Sequence, residues 1–298
     1  MERVATFAVT RAERAGRAAV GRVPASVLIV AAAFSVQSGA ALATTLFRDV
    51  GALGTVFLRT LFAGAILVLL ARGRGWRAGP LRYPIALGIA LAGVNSLFYL
   101  SIARVPLGVA VTVEFLGPLA VAVAGSRRRL DFVWIVFAGG GVALLGSPTV
   151  DVDTLGLLLA LAAGVFWAVY IVVGKRLGAT WPLQKGLALS MALAAVLTAP
   201  LGIVEGGSRL LEPKILALSL VVAVLASVVP YVLELAALRR LRTSTFGILM
   251  SLGPAVAALA GAVFLSQRLG PLELLAVVLV VAASIGANRG ARLAAPET

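Results

Sequence analysis

The stretch VAVTVEFLGPLAVAVAG, Val109–Gly125, is apolar almost throughout, yet it holds Glu114, with Gly117-Pro118 three residues on. It is too long and too regular in its lack of alternation for a barrel strand, which needs about 9–11 alternating residues. It reads instead as a helix of the bilayer interior, interrupted by its proline and carrying one charge. A charge at the centre of such a helix costs roughly 2.5–3.5 kcal/mol on insertion scales, so it usually faces a partner or a cavity.

The rest of the chain has the same character. Of 298 residues, 61% are hydrophobic and 13% charged, with a mean hydropathy of +1.06. A soluble domain averages roughly 45–50% apolar and about 25% charged, so the excess calls for lipid. Apolar runs bounded by charge, Gly and Pro predict ten helices, near 25–47, 51–71, 83–103, 107–125, 131–148, 154–174, 184–204, 214–236, 244–265 and 271–288. The fold class is an all-α polytopic membrane protein.

The net charge is +14, and its placement explains it. The two tails and alternate loops together hold 20 Lys and Arg, against 5 in the intervening loops, with Arg59 inside a span. Positive residues gather in cytoplasmic loops, so both termini are expected in the cytoplasm. Residues 1–24 then form a basic arm near anionic lipid. This segment also imitates a signal peptide. Cleavage would leave nine helices and break the alternation, so it is expected to stay. No nucleic-acid motif accompanies the charge.

The chain has no Cys and no His. Disulfides, thiol nucleophiles, Ser-His-Asp triads and Cys/His zinc sites are excluded. No cofactor or metal motif is present, and the GGG at 139–141 lacks the strand and Lys of a phosphate loop. Two mid-span carboxylates on distant helices give poor support to a membrane enzyme. A channel is disfavoured by the lack of a carboxylate ring or filter motif.

The opening stretch has a partner. MSLGPAVAALAG (250–261) repeats the Leu-Gly-Pro of VEFLGPLAVAVAG (113–125) at an offset of 136, and FYLSIARVPLGVA (98–110) falls over ELAALRRLRTSTF (234–246). Two five-helix halves follow, 25–150 and 151–290, with a tail at 291–298. Five is odd, so the second half enters from the opposite side. Inverted halves place a transport site at their interface near the midplane. Gly117, Pro118, Gly253 and Pro254 mark corresponding helix interruptions, where freed carbonyls need other partners. Close packing around small residues is the alternative.

Arg59, Glu114 and Glu234 are the ionisable groups well inside spans. Glu114 suits a substrate ammonium or a coupling proton, unless it pairs permanently with Arg59. Glu234 is a second proton-coupling candidate, or an interfacial partner of Arg239 and Arg240. The Arg59 guanidinium matches a carboxylate bidentately, either the substrate's or that of Glu114 or Asp49. Asn95 and Tyr99 share a helix face. With Gln37, Ser38, Trp167 and Tyr170 they complete the candidate binding set. Trp76, Trp134 and Trp181 flank spans as interfacial anchors.

FSVQSGAALATTLF (34–47), NSLFYLSIARVPLGVAVTVEFLGPLAVA (95–122), SRRRLDFVW (126–134), FWAVYIVVGKR (166–176) and TFGILMSLGPAVAALAG (245–261) together resemble the threonine and homoserine exporters among the EamA-type drug/metabolite transporters. The resemblance runs from about residue 25 to 290, and departs in the basic arm and at 176–185. It implies ten helices in two inverted repeats, a bacterial inner-membrane location and proton-coupled efflux of small amino acids. A carrier of another metabolite with the same fold is the runner-up. The expected partners are substrate, protons and lipid, with the oligomeric state open.

Overall fold

In lipid every backbone polar group must be satisfied within the segment, so long apolar runs become helices. A computed structural model of the chain describes residues 23–71, 79–124, 130–145, 152–238 and 249–294. The arm at 1–22 and the arginines at 72–77, 127–129 and 239–242 lie outside them, as do 244–248 of the ninth predicted span and the end of the tail.

The helices are α1 (Ala25–Thr44), α2 (Phe47–Leu70), α3 (Arg82–Ile102), α4 (Leu107–Glu114), α5 (Leu116–Ala124), α6 (Leu130–Leu145), α7 (Thr154–Thr180), α8 (Leu183–Gly206), α9 (Pro213–Ala223), α10 (Val229–Leu238), α11 (Gly253–Leu265) and α12 (Pro271–Ala294). No strand occurs among the described residues. Five of these helical stretches are long and apolar enough to cross a membrane unaided, and shorter apolar helices supply the rest of a ten-span bundle.

Two predicted spans are composite. The fourth is α4 and α5, split at Phe115, and the eighth is α9 and α10, joined by a π-helical turn at Val224–Val228. Pro118 and Pro230 lie just past these breaks. A proline removes the donor of the i→i−4 bond and crowds the carbonyl it would have met. The carbonyls so affected belong to Glu114 and Ala226. The sixth span also runs on to Thr180, beyond its expected end near 174.

Packing pairs the spans in a regular way. The second lies on the seventh, the fifth on the tenth and the fourth on the ninth. The third lies on the sixth and seventh, as the eighth lies on the first and second. The fourth also meets the sixth, as the ninth meets the first. These principal pairings survive exchange of every span for the one five places away. One buried cluster, including Tyr99, Val111, Phe115, Ala163 and Ala257, ties both halves of the chain together.

Polar contacts fix the joints. At Gly51 α2 is kinked, with φ 71° and ψ 175°, a conformation natural only to glycine. The helix therefore restarts there with free N–H groups. Glu205, at the end of α8, accepts from Leu53 N at 2.6 Å and Gly54 N at 3.3 Å. It acts as an N-cap supplied by another helix. Deeper in the same seam the hydroxyls of Thr60 and Thr198 meet at 3.0 Å. Trp181 departs from the anchor expectation. It is only 5% exposed, and its Nε1 donates to Pro80 O at 3.2 Å.

Asp153 caps α7 by accepting from Gly156 N at 3.1 Å, and it pairs with Arg104 at 3.1 Å. The Gly156 amide first, and then the Arg104 guanidinium, hold its carboxyl below the ordinary Asp value of 3.8. A depressed carboxyl stabilises the fold above its unfolded value, and that contribution is lost as pH falls through the folded value. Asp153→Asn keeps a competent cap. Its thermal midpoint is expected to lose part of the wild type's acid dependence below about pH 4, which melting curves from pH 3 to 7 would check.

Candidate functional site

The interior site is built around two breaks. At the first, Glu114 is the last residue of α4 and is 7% exposed. Pro118 cannot donate to its carbonyl, and α7 passes against it. A Cβ on Gly164 would stand 2.6 Å from Glu114 O, and one on Gly117 would collide with Gly164 O. Phe115, between α4 and α5, meets Trp167 edge-on, with ring centroids 5.2 Å apart. Its ring also fills the place a Cβ on Gly253 would need, at 2.9 Å. The two Leu-Gly-Pro motifs thus meet through one aromatic ring.

At the second break, Arg59 reaches from α2 into the π-helical turn. Its Nη2 donates to Ala226 O at 3.0 Å and its Nε to Ser227 Oγ at 3.3 Å. Its Nη1 donates to Tyr99 Oη at 3.0 Å, with the guanidinium carbon 5.2 Å from the Tyr99 ring centroid. Ser35 Oγ donates to Leu225 O at 2.6 Å. Leu225 and Ala226 are the carbonyls that Pro230 fails to serve in a wide or an ordinary turn, and each has recruited a side chain. Wide turns of this kind recur at functional sites.

Arg59 and Glu114 do not touch. Among the described residues neither makes an ion pair within 4.0 Å, and the Glu114 carboxylate has no hydrogen bond there. A permanent Arg59–Glu114 or Arg59–Asp49 bridge is therefore absent from this conformation.

The other candidates divide. Tyr99 is fully buried beside Arg59, and Trp167 lies against Phe115. Asn95 is 8% exposed and spends one donor on its own helix, Nδ2 to Leu91 O at 2.7 Å. Gln37 is 7% exposed with its Oε1 unpartnered among the described residues, and Ser38 is half-buried. Tyr170 packs in a different cluster, around Leu87, Leu177 and Trp181. Glu234 is half-buried on α10, whose Ala237 packs against Leu28 and Ile29 near the start of α1. Gly253 and Pro254 together open α11, after the cap at Leu252.

Sequence reasoning did not single out Ser35, Ser227, Pro230 or Glu205. The proline within LASVVPYVLEL (225–235) was the available signal for the eighth span. A cavity of about 270 Å³ lies elsewhere, between α2, α3, α7 and α8. It contains none of the interior charges, and its rim residues Ile89 and Leu201 are 49% and 62% exposed. An aliphatic rim within the spans suits lipid better than a zwitterion.

Similarity to known proteins decides the class. The threonine/homoserine exporter RhtA of Salmonella typhimurium is 46% identical over 272 residues, 89% of this chain and 91% of that protein. The chain belongs to the EamA-like transporter family. The model of that family matches residues 154–289. RhtA of Escherichia coli is 45% identical over the same coverage. The uncharacterized transporter YwfM of Bacillus subtilis is 28% identical over 203 residues, covering 65% of this chain and 68% of its own. A solved crystal structure matches at TM-score 0.61 over 91% of this chain and 99% of that one, at 21% identity, which shows the fold alone. In this EamA-like transporter, then, the interior polar groups belong to a membrane carrier built for export.

Proposed function

We propose that this transporter exports small amino acids, threonine and homoserine foremost, in exchange for protons across the bacterial inner membrane. The observation that carries the reading is Glu114, a carboxylate at a helix break, 7% exposed and without an ion pair or hydrogen bond among the described residues. A charge kept inside at such cost is a functional group by default. The names of the RhtA relatives supply the substrate class.

An amino acid is a zwitterion and needs one acceptor and one donor site in the low-dielectric interior. Glu114 takes the ammonium, and Arg59 takes the carboxylate. Gln37 Oε1 adds a neutral acceptor, while Asn95 and Ser38 offer further hydrogen bonds. Trp167 bounds the space beside Phe115, and Tyr170 lies outside this first set. A proton arriving from the outer side neutralises Glu114 and releases the ammonium there. After reopening inward, the proton leaves and the next substrate binds. Glu234 is a second carrier nearer the cytoplasmic end.

Alternating access follows from two inverted five-helix units, 25–150 and 151–290, with both termini in the cytoplasm. The exchange symmetry of the span pairings supports that division. Counterflow is the test. Proteoliposomes loaded with unlabelled threonine should take up labelled threonine saturably, with competition by homoserine. If folded protein shows no counterflow with either, the substrate assignment fails and another metabolite of the same fold class takes its place.

A further inference from the structure

The way Arg59 is held says how it meets a carboxylate. A guanidinium has five N–H donors in a rigid planar fork. Three are engaged: Nε with Ser227 Oγ, one N–H of Nη2 with Ala226 O, and one N–H of Nη1 with Tyr99 Oη. Among the described residues no partner takes the other two, one on each terminal nitrogen, and this is the number a carboxylate takes bidentately. Ser227 is 4% exposed and Tyr99 is fully buried, so these acceptors are fixed parts of the interior. The carbonyl at Ala226 is available because Pro230 lacks the N–H that would close the helix onto it.

We propose that the Pro230 wide turn is a cradle in which Ser227 and the Ala226 carbonyl position Arg59, leaving its two free N–H groups to select substrates bearing a carboxylate. Ser227 and Pro230 are positioning residues, acting through Arg59. The cradle holds the guanidinium without neutralising it, because every acceptor it offers is uncharged. An incoming carboxylate therefore finds an unpaired cation already oriented, and gives up little of its binding energy to ordering a long side chain. Substrates whose carboxyl is masked keep only weaker, neutral acceptors and lose the charge-assisted bidentate contact, a mismatch that sites built for hydrogen bonding reject.

The inference rests on the amino-acid reading of the same site, so the experiment separates the two. Counterflow is measured in proteoliposomes preloaded with threonine, using labelled threonine and, in parallel, labelled threonine methyl ester. The wild type should prefer the acid by about tenfold or more. Ser227→Ala should raise the KM for threonine several-fold, with little change for the ester, so the preference collapses. Ser227→Thr, which keeps the hydroxyl, should restore it. Pro230→Ala returns a competing N–H to the Ala226 carbonyl and carries the same expectation, should Ser227→Ala fail to fold. Equal losses for acid and ester in the folded variants would overturn the cradle alone. Wild-type vesicles that exchange neither threonine nor homoserine would overturn the substrate reading, and the cradle's selectivity with it.

Discussion

Glu114→Gln is expected to abolish the response of amino-acid export to a pH gradient. The substitution keeps the size and hydrogen-bonding reach of the side chain but removes its charge and its exchangeable proton. Truncating one partner of a buried charge pair costs about 2–5 kcal/mol, roughly 30- to several-thousand-fold in apparent affinity. The ammonium of the substrate should lose contact of this size. The folded protein should not suffer, because the carboxylate has no ion pair or hydrogen bond among the described residues to lose. Relief of an interior charge should leave the thermal midpoint unchanged or raise it. Parallel measurement of uptake, with and without an imposed gradient, and of melting in detergent would read both effects. A Glu114→Gln protein that still answers the gradient moves the coupling proton to Glu234.

The second large effect is steric. Gly117→Val should weaken the bundle and stop transport, because the first added carbon already collides with the Gly164 carbonyl of α7. Backbone is the obstacle here, and backbone cannot rotate out of the way as a side chain can. Overpacking a close-fitted site typically costs 1–3 kcal/mol, sometimes more, and α5 would have to leave α7 to escape it. Gly140→Val supplies the control, since a Cβ there meets nothing within 4 Å. Thermal melting of the two purified variants beside the wild type should show a loss for Gly117→Val and close to none for Gly140→Val. Equal midpoints would mean that the α5–α7 crossing is not as tight as described.

The first break was legible because everything that makes it is local. A proline, its glycine and a lone glutamate stand out in an apolar run, and the same Leu-Gly-Pro returns 136 residues later. Ten spans were legible for a similar reason, since apolar length and basic loops alternate along the chain. The second break hid in plain view. Pro230 lies within a segment whose composition remains that of a span, and only the wide turn at Val224–Val228 shows how the helix absorbs it.

The partner of Arg59 was not legible at all. A lone interior arginine suggests a carboxylate, yet its acceptors are two neutral oxygens of the eighth span and a tyrosine of the third. Backbone carbonyls leave no mark in a sequence. Trp181 misled for a related reason. A tryptophan at a span end suits an interface, but here its N–H finds the Pro80 carbonyl and its ring is buried. Glu205 shows the same limit. Its role as a cap depends on the kink at Gly51, some 150 residues earlier in the chain.

The central claim is that Glu114 exchanges a proton for the substrate ammonium, and proton movement tests it most directly. Proteoliposomes enclosing a pH-sensitive dye, with no initial gradient, would receive threonine on the outside. Inward threonine movement should drive protons out, so the wild-type interior should turn alkaline in proportion to threonine uptake. Glu114→Gln vesicles should show no such change. Threonine uptake by the wild type with no shift of internal pH, or an undiminished shift with Glu114→Gln, would contradict the account.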